Sequence, residues 1–147
     1  MYITAPVAAI TKGAYVDSIE RLSDAFQLKL MLKKYMEPCT VKITTSRYTY
    51  NFPLSLAITA VFISRIHKKK QAIIAVIAML TGVHFLYLYS LETLALTRAI
   101  YDKNLRDVGW IEMNVHLSLF LFTDGFLIRL EPFIAGFVLY FKFMRKN

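Results

Sequence analysis

Two groups of polar side chains lie in or beside long apolar runs of this chain. Thr81, His84 and Glu92 fall within the run that starts at Ala72, and Asp124, Arg129 and Glu131 break the last apolar stretch. On a helix turning about 100° per residue, Thr81 to His84 is about 300°. Thr81 to Glu92 is about 1100°, within about 20° of where it began. The three residues therefore share one face. Such a seam suits a partner helix or a proton relay. The plainer reading gives His84 one interhelical hydrogen bond and places Glu92 in water. Arg129 can pair with Asp124 or Glu131, or reach Glu92. Its functional reading is recognition of a charged partner, and its plainer one is a snorkelling side chain with a local ion pair.

Catalysis finds little support. Cys39 is the one cysteine, so there is neither an intrachain disulfide nor a multi-cysteine metal site. As a nucleophile it needs an adjacent base and a lowered pKa. The histidines are His67, His84 and His116, and no spacing places one beside it. No His/Asp/Glu set has metal-ligand spacing, and neither a glycine-rich phosphate loop nor a nucleophile elbow is present. The expectation is a chain with no catalytic residue, no metal and no cofactor.

The elements that position these residues fall into two parts. Residues 1–49 read as a small module. Thr4 before Pro6 signals a helix start, and Val7, Ile10, Ala14, Ile19 and Leu22 follow helical spacing, which predicts a helix over about 5–24. Phe26, Leu28, Leu30 and Leu32 alternate with Gln27, Lys29, Met31 and Lys33, near a period of two. After a turn in Lys34–Cys39, the β-branched and aromatic segment from Thr40 to Tyr50 reads as the second strand of a hairpin.

Residues 50–147 read as a transmembrane part. Of the 147 residues, 56% are apolar, above the roughly 45–50% of soluble domains, and the mean hydropathy is +0.45. The excess lies in blocks after residue 50. The expected spans are about 50–66, 72–90 and 125–143, with an interfacial or re-entrant helix over about 114–123. The net charge is +8, and the basic residues of the second half cluster beside these blocks. Arg65, Lys68, Lys69 and Lys70 flank the first connection, and Lys142, Arg145 and Lys146 close the chain. They read as membrane-flank anchors, with no nucleic-acid footprint. The positive-inside rule puts both clusters in the cytoplasm, with the N-terminal module outside. The fold class predicted is an all-α integral membrane protein of three transmembrane helices. It carries a small extracytoplasmic helix-plus-β-hairpin module.

Three segments carry a resemblance: "YITAPVAAI" (Tyr2–Ile10), "YTYNFPL" (Tyr48–Leu54) and Glu131-Pro132. Spread along most of the chain, they resemble the small membrane proteins associated with exosortase H. That resemblance implies a bacterial cytoplasmic-membrane protein beside an envelope protein-sorting enzyme. The expected function is a non-catalytic accessory protein that contacts a membrane partner. The alternative is a small structural subunit of a respiratory or secretion complex.

Overall fold

The structure is a computed structural model and describes residues 3–23, 25–33, 38–44, 51–63, 65–66, 68–104 and 108–141. The chain begins with helix α1 (Thr4–Thr11), which ends at Gly13. That glycine takes φ +68°, a left-handed conformation that stops the helix and costs a residue without a Cβ little. Strands β1 (Ala14–Arg21), β2 (Ala25–Leu32) and β3 (Pro38–Thr44) follow as an antiparallel meander in the order β1-β2-β3. Leu30 is paired with Val16 on one side and with Cys39 on the other.

The sheet obeys the ordinary rule of a water-soluble module. Leu28, Leu30, Leu32, Cys39, Val41 and Ile43 point inward and are buried. Thr40, Lys42 and Thr44 on the other face are exposed, and Lys29 pairs with Glu20 across the strands there. The inner face packs on Ala5 and Ala9 of α1, on Val108, and on Leu96 and Ile100 of a long helix.

That long helix is α3 (Lys69–Asp102), preceded by α2 (Asn51–Ile63). Helix α4 (Trp110–Phe122), a π-helical turn (Thr123–Leu127) and α5 (Ile128–Leu139) then follow without a break. Pairing of Ser90 with Thr123 and of His84 with Glu131 shows α4 and α5 running antiparallel to α3. Helix α2 lies along α5 in the same direction, with Ser55 at Glu131 and Ile58 at Gly136. A second core joins Ile66, Ala72, Val76 and Leu80 to Ala135 and Leu139.

The fold therefore corrects the three-span all-α expectation. It is a mixed α/β arrangement with a three-stranded sheet, and one described helix, α3, is long and apolar enough to cross a membrane. Helix α2 has 13 residues and α5 has 12. At about 1.5 Å each, α2 falls short of the roughly 30 Å of a hydrocarbon core, as does α5 taken apart from the helical turns that lead into it. The segment read as an interfacial helix at 114–123 and the described part of the span expected over 125–143, up to residue 141, are successive parts of one helical run. Pro132 lies inside α5.

The N-terminal helix expected over 5–24 stops at Thr11, and residues 14–21 form a strand instead. The cause is a β-bulge between Val16 and Ser18. It places the half-buried apolar residues Val16 and Ile19 three apart, a spacing that imitates a helix.

Candidate functional site: a polar interior beneath an apolar surface

The helical half buries polar side chains beside its apolar core and leaves many large apolar side chains exposed. Leu54, Leu56 and Val61 of α2, Ile73, Ile74, Ile77 and Phe85 of α3, and Phe133 and Phe137 of α5 are exposed. Ser55, Thr59, Ser90, Thr123 and Glu131 are buried between those same helices. Buried hydroxyls need partners, and they find them. Thr59 donates to the carbonyl of Ser55 at 2.8 Å, and Ser90 and Thr123 share a hydrogen bond at 2.7 Å. The π-helical turn begins at Thr123. Its wider turn sets the phase by which α5 carries Glu131 inward while α4 keeps its own face.

Glu131 is the centre of this interior, with no exposed surface. Its Oε1 accepts a hydrogen bond from Ser55 Oγ at 3.1 Å. Its Oε2 lies 3.2 Å from His84 Nε2, close but outside hydrogen-bond alignment. Three helices thus meet at one carboxylate. The contact becomes an ion pair whenever the imidazole holds its second proton.

Two further clusters join the helices to the sheet module. Thr4 of α1 donates to Oε1 of the buried Glu92 at 2.9 Å. Lys12, 7% exposed, donates to Glu112 Oε1 at 2.5 Å and to His116 Nε2 at 2.6 Å. Because Nε2 accepts, a neutral His116 carries its proton on Nδ1. Burial and the neighbouring Lys12 hold His116 below the ordinary imidazole range, with Glu112 acting in the opposite direction.

The six residues singled out from sequence divide. His84 and Glu131 come together, although sequence spacing assigned them to separate groups. Glu92 is buried as well, but beside Thr4 at the other end of the interior. Thr81 is exposed, because α3 is covered on one side only at that level. Asp124 is half-buried in the π-helical turn, and Arg129 is exposed with no ion pair to any described residue. Arg65, Lys68, Lys69 and Lys70 are exposed at the α2–α3 connection, beside the buried Ile66. Lys142, Arg145 and Lys146 lie outside the described residues, as do His67 and residues 45–50 of the strand predicted over Thr40–Tyr50.

Sequence reasoning missed Ser55, Thr4, Lys12, Glu112 and His116 as members of a site. Ser55 carried a usable signal, a polar residue in an apolar run, the same signal that marked His84. Lys12 and Glu112 are 100 residues apart, and nothing local in the sequence pairs them. Cys39 is fully buried in the sheet core, where burial pushes its thiol up, against a smaller lowering by Lys103. Among the described residues, no group of His, Cys, Asp and Glu could hold a metal ion.

No protein-family model matches the chain, and no curated protein or solved structure is similar to it. The likeness to exosortase H-associated proteins rests on its three sequence segments alone.

Proposed function

We propose that this chain is an integral membrane protein in which α3 crosses the bilayer. Helices α2 and α5 accompany α3 through part of that depth. The sheet module stands in water beyond the end of α3 farthest from the basic connection. One observation carries the reading: the helices bury hydroxyls and a carboxylate and expose Ile, Leu and Phe. The most apolar 18-residue window of α3 is only 22% buried within the molecule. A core helix of a water-soluble domain would be mostly buried, and a signal sequence would lie near the N-terminus rather than beginning at Lys69. The polar outer face of the sheet supports the same division.

The orientation follows from charge. Arg65 and Lys68–Lys70 sit at the start of α3, and the sheet packs on Leu96 and Ile100 near its end. The positive-inside rule assigns the basic connection to the cytoplasm and the sheet to the outer side. The protein acts without catalysis, as an accessory that contacts a membrane partner. The buried, raised thiol of Cys39 supports that reading. An exosortase-type sorting enzyme is the partner the sequence resemblance suggests.

The test is alkaline extraction of native membranes, followed by impermeant thiol labelling of Thr40→Cys and Lys70→Cys in a Cys39→Ala background. Retention in the membrane, with only the position-40 thiol labelled from outside, is the expected result. Release at alkaline pH contradicts the membrane placement. Labelling of the position-70 thiol from outside reverses the orientation. Mild-detergent purification then identifies the partner, and stoichiometric recovery of a respiratory or secretion complex would replace the sorting reading.

A further inference from the structure

Resting on the membrane placement above, we infer that the exposed face of α4 and α5 is the seat of a partner's membrane helix, one bearing a carboxylate opposite Arg129. Ile111, Val115, Phe122, Phe126 and Phe133 recur along this face at helical spacing and are exposed. Every other exposed residue of the described chain from Trp110 to Phe141 is uncharged, so Arg129 is the single charge there. It forms no ion pair or hydrogen bond with any described residue.

Length decides what can cover this face. Helix α3 has 34 residues, roughly 50 Å at about 1.5 Å each, against about 30 Å of hydrocarbon. With Lys70 at the cytoplasmic boundary, about 20 residues carry α3 to the outer boundary near Ser90. Ser90 touches Thr123, so Thr123 lies at that boundary too. The 13 residues of α4 therefore rise about 20 Å beyond the lipid, with Trp110 80% exposed at the tip. Acyl chains cannot cover Ile111 and Val115 at that height, so a protein must.

The same partner, continuing down the face, reaches Arg129 about 9 Å below the boundary. There it shuts the guanidinium away from lipid headgroups and must supply an acceptor, which a carboxylate does bidentately. A second copy of this chain does not fit. Two co-oriented copies related by a twofold axis along the membrane normal would set Arg129 against Arg129 at equal depth.

The experiment reconstitutes the full chain in phosphatidylcholine vesicles with a fluorescent Leu–Ala transmembrane helix. The helix bears either one Glu at the depth of Arg129 or Gln in its place. Energy transfer should report about tenfold tighter association for the Glu helix, in line with interhelical polar contacts in lipid. Arg129→Gln should erase that preference while the chain stays in the vesicles on alkaline washing. Equal binding of both helices by the retained chain overturns this inference alone, leaving Arg129 to a lipid phosphate. A self-adduct of twice the chain mass from a photo-crosslinker at position 115 overturns it in favour of a second copy. Loss of the chain from the vesicles at alkaline pH overturns the membrane placement and this inference together.

Discussion

His84 Nε2 on α3 lies 3.2 Å from Glu131 Oε2 on α5, and Ser55 on α2 holds the other oxygen of the same carboxylate. Three helices are fastened by one side chain that has no access to solvent. Glu131→Ala should therefore cost about 1–3 kcal/mol, since Ser55 loses its acceptor and the close contact with the imidazole is lost. Glu131→Gln keeps an oxygen for Ser55 and should cost less than half as much. Thermal unfolding in mild detergent measures both. Equal midpoints for Glu131→Ala and the parent chain would remove Glu131 from any fastening role.

The turn from α1 into the sheet depends on backbone conformation alone. Gly13 sits at φ +68°, and a Cβ added there meets nothing within 4 Å. Gly13→Ala should destabilise the chain by about 1–2 kcal/mol through the left-handed conformation, with no steric clash to relieve. Gly13→Asn should recover part of that loss, because asparagine tolerates this region better. If Ala and Asn melt together at the parent temperature, the turn is not held in this conformation.

Acidification should loosen the sheet module through His116. Its pKa is lowered in the fold by burial and by Lys12, so the unfolded chain takes up the proton first as pH falls. The stability tied to the neutral ring is complete above the unfolded value of about 6.5. It is lost as pH drops below that value. The buried Glu92 carboxyl, raised to about 7, acts in the opposite direction over the same window, so the His116 contribution is read as a difference: the melting temperature of the parent relative to His116→Gln should fall between about pH 7 and about pH 5. An unchanged pH profile in the variant would assign the dependence to other groups.

Much of the sheet was legible in the sequence. The alternation of Leu28, Leu30 and Leu32 and the β-branched run from Thr40 coincide with β2 and part of β3. β1 was not legible, because the bulge after Val16 disguises its period of two. Helices were visible as apolar runs, but their number of crossings was not. Apolar length distinguishes α3 from its shorter neighbours only once their ends are known. Polar residues inside apolar runs marked His84, Glu92 and Glu131, all of which turn inward. The spacing rule failed at Thr81, because one face of a helix can be covered at one end and open at the other. The Lys12–Glu112–His116 cluster joins segments about 100 residues apart, beyond the reach of any local pattern.

The account stands on the exposed apolar residues of α3 facing lipid. The most direct measurement is reactivity of Ile74→Cys and Ile77→Cys toward a water-soluble maleimide in intact membranes, with Cys39→Ala as background and Thr40→Cys as control. Both isoleucine positions are exposed on the isolated chain. Lipid should leave them unreactive until detergent or denaturant is added, while the position-40 thiol reacts at once. Labelling at positions 74 and 77 as fast as at position 40 in intact membranes would contradict the membrane placement of α3.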